Sequence, residues 1–315
     1  MNVERSKLFQ KYSWLKDNEV KHVIVGDDLD AFLALILYLQ HNPNAHVVGI
    51  YTQYKKIFYD NSLSLNDLKK AVYIDLDVYS KNCRSLGHHI IRQNNFNVLE
   101  NFENNCNLNE IVGRSVQKDF FRKYPLGTIH FLMWLYETKT PLLPYSEALI
   151  WLADSTFINA QKYENNVKDW IDTIFNYPPF QESFKNCNTL FFEEQIFDLQ
   201  QIMLKKGFQK GNGQATSSHK KLTGFQCQPK GNESTKEIKD YMLKIIDFVQ
   251  EMTEWRILSH QIFLNDLICI EGKRNSGKIE HYLQNISLDD FLKQENIFSF
   301  VFPFKDNINF TKDIF

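Results

Sequence analysis

Four groups of side chains in the first half of this 315-residue chain could do chemistry together. Asp27, Asp28 and Asp30 follow a short apolar run in HVIVGDDLDAFLALILYL. Asp75 and Asp77 end AVYIDLD, His88 and His89 lie in LGHHI, and Asp154 lies in EALIWLADST. Carboxylates and imidazole without thiolates suit a hard or borderline divalent cation such as Mn²⁺ or Mg²⁺. A helix cap would use one of the acids at 27–30. Three among four residues repel one another, and a cation relieves the excess. One or two such ions can clamp a phosphoryl group and neutralise a leaving oxygen.

The elements that must position these groups follow from periodicity. HVIVG (22–26) reads as a buried parallel strand, and DAFLALILYLQHN as a helix apolar nearly all round, ending at Asn42-Pro43. HVVGIYT (46–52), AVYIDLD (71–77) and GHHII (87–91) supply three more strands, with a polar loop between the first two. Strands alternating with helices predict an α/β fold, a parallel sheet covered by helices. Loops after the carboxyl ends of neighbouring strands converge on one crevice in such a sheet. Asp28, Asp30, Asp75 and His88 should therefore meet. Residues 128–207 read as helical. The stretch 208–235, rich in Gly, Gln, Lys and Ser, reads as a linker or mobile loop. STKEIKDYMLKIIDFVQEMTEW restarts as a helix, with Ser234 and Glu237 at capping-box spacing. The strands that follow belong to a smaller α/β C-terminal domain, so the expected division is 1–207, 208–235 and 236–315.

In this order the motifs resemble those of the DHH phosphoesterase superfamily, which includes RecJ-type exonucleases, nano-RNases, cyclic-dinucleotide phosphodiesterases and family II pyrophosphatases. The resemblance covers about residues 20–160. VGDDLDA is similar to the first motif, with Asp28 and Asp30. VYIDLD is similar to the second, with Asp75 at the place of the metal-bridging aspartate. LGHHI resembles the DHH motif, with His88 at the metal-ligand position and His89 where the family contacts phosphate. Asp154 matches the last ligand. The resemblance implies metal ligation by Asp28, Asp30, Asp75, His88 and Asp154, with Asp75 and His89 in catalysis. It implies one or two Mn²⁺ or Mg²⁺ ions and hydrolysis of a phosphodiester or phosphoanhydride in a short oligonucleotide or small nucleotide. Three departures stand out: Ile24, Val25 and Gly26 replace the acid or histidine before the first motif, Gly87 replaces the Asp of DHH, and the glycine-rich C-terminal signature is absent. They motivate the alternative of a catalytically inactive binding protein with this fold.

Composition sets outer bounds. A net charge of −2 argues against a strongly cationic nucleic-acid binder. The five cysteines form no C-x-x-C pair, which argues against a zinc knuckle or a disulfide framework. The longest apolar run is far short of a bilayer span, and the N-terminus lacks a signal-like core, so no membrane partner and a cytoplasmic setting are expected. Oligomeric state is left open. GKRNSGKI (272–279) imitates a phosphate-binding loop, but Ile279 stands where a Ser or Thr should hold Mg²⁺. It reads as a turn whose Lys273, Arg274 and Lys278 reach substrate phosphates. His130, on the apolar helix, reads as a core histidine.

Overall fold

A computed structural model describes residues 3–16, 19–94, 99–211, 215–284 and 286–315 of the chain. Short runs rich in β-branched and aromatic residues make its centre. The strands β1 (His22–Val25), β2 (His46–Thr52), β3 (Lys56–Asp60), β4 (Val72–Ile74), β5 (Arg84–Gly87), β6 (Asn105–Asn107) and β7 (Leu267–Glu271) form one sheet, ordered β6-β5-β4-β1-β2-β3-β7. The five from β6 to β2 run parallel, while β3 and β7 join antiparallel at one edge. Val23, Ile24, Val25, Tyr73, Ile74 and Leu86 have no accessible surface, as central parallel strands require. The chain steps outward from β1 through β2 to β3, then returns to β4 and steps outward the other way. That reversal at the β1–β4 pair leaves the connections after the two strands diverging, the place where open α/β sheets in general bind their ligands.

By packing, the chain divides into two compact units, Met1–Arg5, Asp27–His41 and Pro125–Leu258 in one, and Ser6–Gly26, Asn42–Tyr124 and Ser259–Phe315 in the other. The first is helical. Its helix Leu29–His41 is buried from Leu29 to Leu39, matching an apolar surface nearly all round. The helix Thr128–Leu135 is wholly buried. The helix Thr235–Thr253 opens on a capping box: Ser234 Oγ accepts from Glu237 N at 3.3 Å and Glu237 Oε2 accepts from Ser234 N at 2.8 Å. Residues 208–234, apart from 212–214 which lie outside the described residues, contain no helix or strand, and Thr235 begins the helix that follows. They nevertheless pack, with Ser217, Phe225 and Cys227 buried. Their anchor is Glu193 on the helix Leu190–Lys205, whose carboxylate accepts from Ser217 Oγ at 2.7 Å and from His219 N at 3.1 Å, and also from Lys220 N at 2.6 Å.

The second unit holds the large sheet and a smaller antiparallel one, β8 (Lys273–Lys278), β9 (Ile297–Phe304) and β10 (Asn307–Lys312), ordered β8-β10-β9. Phe291, Phe300, Phe302 and Phe310 pack there with Tyr79, Ile90 and Ile91. Four sequence expectations change. Residues 56–60, read within a polar loop, are β3, because Ile57 and Tyr59 alternate into a core with Tyr51 and Tyr73. The strand expected at 87–91 is β5 at Arg84–Gly87, ending where His88 begins. Residues 273–278, read as a turn, are the edge strand β8. β7, assigned to a separate C-terminal domain, pairs with β3 in the main sheet.

Candidate functional site

β1 ends at Val25, and a three-residue turn leads straight into the helix beginning at Leu29. Each acid of this turn has a different task. Asp28 Oδ1 accepts from Ala31 N at 3.0 Å, the bond of a helix cap. Asp27, buried, accepts from Gln228 Nε2 at 3.2 Å, and its carbonyl accepts from Tyr241 Oη at 2.8 Å. Asp30, with no accessible surface, receives Thr128 N at 2.6 Å on one oxygen and Ile129 N at 3.0 Å on the other. Those amides open the helix Thr128–Leu135, so its dipole favours the ionised carboxylate. Gly127 is required beside it: a Cβ there would stand 2.5–2.8 Å from the Asp30 carboxylate.

Asp75 follows the last residue of β4 with φ +61°, a left-handed conformation that non-glycine residues adopt sparsely and that Asp tolerates better than most. Its Oδ1 lies 3.0 Å from His88 Nδ1, and both side chains are buried. The next imidazole has a carboxylate of its own: His89 Nδ1 lies 3.3 Å from Asp77 Oδ2, and the two rings stack with centroids 4.4 Å apart. Asp77 is fully buried and accepts from Asn105 Nδ2 at 3.1 Å, Asn107 Nδ2 at 2.7 Å and His89 N at 3.2 Å. Asn109 Nδ2 donates to the His88 carbonyl at 2.8 Å, and Asn107 Nδ2 to the His89 carbonyl at 2.7 Å. Gly87 is needed for the same reason as Gly127. A Cβ on it would meet the Asp77 carboxylate at 2.2–2.6 Å.

Asp30, Asp75 and His88 each offer a ligand atom, and those atoms lie within 4.8 Å of one another, all three residues buried. Two carboxylates and an imidazole could hold a metal ion, and the donor set alone does not choose which. Asp28 and Asp154 stand outside that group. Asp154, with φ +49° at a kink between two helices, accepts from Gln226 Nε2 at 3.3 Å. Lys273, Arg274 and Lys278 lie on β8 with partners already: Asp313 at 3.1 Å, the Gln53 carbonyl at 3.2 Å and Glu280 at 3.7 Å. His130 is fully buried, edge-on to Trp151 with centroids 5.2 Å apart, the core setting that its helix implied.

Two features escaped sequence reasoning. In FQCQP (225–229), Phe225 and Cys227 are buried while Gln226 and Gln228 alternate with them and bond Asp154 and Asp27. In NCNLN (105–109), the three asparagines build the bed beneath Asp77, His88 and His89. Both carry a period-2 alternation that was the available signal. Cys227 is no ligand competitor: burial and the neighbouring Asp28 push its thiol well above the usual range, keeping it protonated. Burial, then Cys227, Asp27 and Asp28, raise the Tyr241 phenol likewise, so it stays a neutral donor.

No protein-family model, no curated protein and no solved structure matches this chain. What the site can do therefore rests on its own geometry: buried oxygen and nitrogen donors close together, at the carboxyl edge of a sheet where the strand order reverses.

Proposed function

We propose that the chain is a DHH-like, metal-dependent phosphoesterase that hydrolyses a phosphodiester or phosphoanhydride bond in a short oligonucleotide or small nucleotide. The observation that carries this reading is the buried Asp30, Asp75 and His88 group. Those residues would hold Mn²⁺ or Mg²⁺, with Asp28 and Asp154 as further ligands once their present hydrogen bonds are exchanged. A divalent ion bound there supplies Lewis-acid polarisation of the phosphoryl group and activation of the attacking water. The protein's own part is orientation. His88 is fixed through Asp75, and the Asn109 bond to its carbonyl holds the backbone on which it turns. His89, half-exposed and braced by Asp77, would contact the phosphate, and Lys273, Arg274 and Lys278 would serve more distant phosphates. A cytoplasmic setting belongs to this reading, supported by five free cysteines; no helix among the described residues is long and apolar enough to cross a membrane.

The test is Mn²⁺-dependent release from short oligonucleotides, cyclic dinucleotides and pyrophosphate by the wild type and by Asp75→Ala. Loss of release on substitution supports the reading, and activity indifferent to Asp75 refutes it. One observation favours a second reading, an inactive binding protein of the same fold. Both oxygens of Asp30 already accept backbone amides, and Asp28 serves as a helix cap, so these acids have structural work without a metal. Calorimetric titration with Mn²⁺ separates the two: uptake that Asp75→Ala abolishes belongs to the hydrolase, and no uptake belongs to the binding protein.

A further inference from the structure

We propose that the second unit carries another ligand site, for a small phosphorylated molecule with an aromatic body, at the amino-terminal ends of β4 and β5. This is the opposite edge of those strands from Asp75 and His88. A cavity of about 330 Å³ opens there, lined by Lys69, Lys81, Asn82, Asn101, Phe298 and Phe315 among others. Lys69 lies in the last turn of the helix Leu65–Lys70 just before β4, and Lys81 and Asn82 precede β5.

Charge and shape define the ligand. Lys293 also lines the cavity, but its ammonium lies 2.7 Å from both Glu100 and Asp289, so its charge is already answered. Tyr79 is occupied too, its hydroxyl 2.5 Å from Asp289 Oδ1, and Asn296 Nδ2 donates to the Phe315 carbonyl. Lys69 and Lys81 have no carboxylate partner among the described residues. A helix C-terminus accounts for a lysine at position 69. It does not account for Lys81, nor for Asn82 and Asn101, which line the same cavity. Two like charges on one cavity repel each other, and an anion between them reverses that cost. The lining also has an apolar part, Leu292, Ile297, Phe298 and Phe315, with the Lys69 ammonium 5.6 Å from the Phe315 ring centre. The volume exceeds what one phosphate fills and lies at the lower end of the roughly 300–1,000 Å³ of small-molecule sites. A nucleoside monophosphate, with one anionic head and one flat apolar body, has those dimensions and that polarity.

Calorimetry with adenosine monophosphate and with inorganic phosphate tests this, in EDTA so that the Asp30, Asp75 and His88 group stays metal-free. Adenosine monophosphate is expected to bind, more tightly than phosphate. Lys69→Gln and Lys81→Gln should each weaken it about tenfold, the effect of one lost charge-assisted hydrogen bond. Phe315→Leu should weaken the nucleotide and leave phosphate unchanged. The proposal is overturned if the wild type binds no nucleotide at millimolar concentration, if the double lysine variant binds as well as the wild type, or if Asp30→Asn abolishes binding while the lysine variants do not. Both lysines are surface side chains, so these variants keep the fold.

Discussion

Gly87 offers the sharpest test of how the site is built. Replacing it by Asp would write the DHH sequence into the chain, and resemblance alone predicts a gain in metal binding. The geometry predicts damage. A Cβ at position 87 would stand 2.2 Å from Asp77 Oδ1 and 2.6 Å from Oδ2. Asp77 cannot swing away cheaply, because Asn105, Asn107 and both nitrogens offered by His89 hold it in a fully buried place. Overpacking of this kind costs about 1–3 kcal/mol. Displacing the carboxylate leaves buried amide donors unmet, at about 1–3 kcal/mol more. Gly87→Asp should therefore lose about 2–6 kcal/mol, a large share of the roughly 5–15 kcal/mol that holds a typical protein folded. Urea unfolding followed by tryptophan fluorescence measures it. The exchange variant Gly87→Asp/Asp77→Gly returns one carboxylate to the same space and should recover at least half the loss, a coupling that a double-mutant cycle reads directly. A Gly87→Asp protein within about 1 kcal/mol of wild type would refute the reasoning, since such a change is below the overpacking cost alone.

Asp30→Asn should cost about 2–3 kcal/mol in the same assay, because Thr128 N and Ile129 N both donate to the carboxylate and an amide offers only one oxygen. Glu193 gives a pH signature: burial raises its carboxyl, yet hydrogen bonds from Lys220 N, Ser217 Oγ, His219 N and Gln161 outweigh that and leave it below the ordinary value. Its contribution is thus present above the unfolded value of about 4.3 and lost as pH falls through the lower folded one. The stability gap between wild type and Glu193→Gln should be constant above about pH 5.5 and shrink toward pH 3, as unfolding curves across that range would record. Ser234→Ala should remove about 1 kcal/mol from the helix Thr235–Thr253, seen as a lower urea midpoint.

The local order of the fold was legible where one residue's chemistry or one period dominated. β2 appears at the residues that β-branching marks, and the helix after Ser234 starts on its capping box. β3 was not legible, since Lys55 and Lys56 beside Ile57 blur its start, and of its two partners only β2 is close in sequence while β7 lies some two hundred residues away. Pairing of that kind has no local signal. The acidic motifs were readable as a set, and Asp30, Asp75 and His88 do come together. Gln226 and Gln228 were not, because Gly, Lys and Ser around them dominate the composition of 208–235. Their meaning lies in contacts with Asp154 and Asp27, which no window of sequence contains.

The distinction between a structural carboxylate and a ligand is also a matter of what surrounds it, and Asp77 shows why. An ionised carboxylate has about four acceptor positions. Asp77 fills them: two amides from Asn105 and Asn107 on Oδ1, and His89 N with the imidazole on Oδ2. A metal could take Asp77 only by stripping donors that are themselves buried, so this acid braces His89 and does not coordinate. Asp75 differs in kind. Its Oδ1 lies 3.0 Å from Nδ1 of His88, an imidazole that is itself a ligand type, and its backbone is held at φ +61° just after β4. A sparsely populated conformation persists where its surroundings fix it, and such residues gather at functional sites. Asp77 and Asp75, separated by Leu76, thus differ in their surroundings: buried asparagine amides hold the first, and the second lies beside His88 in a group that could hold a metal ion.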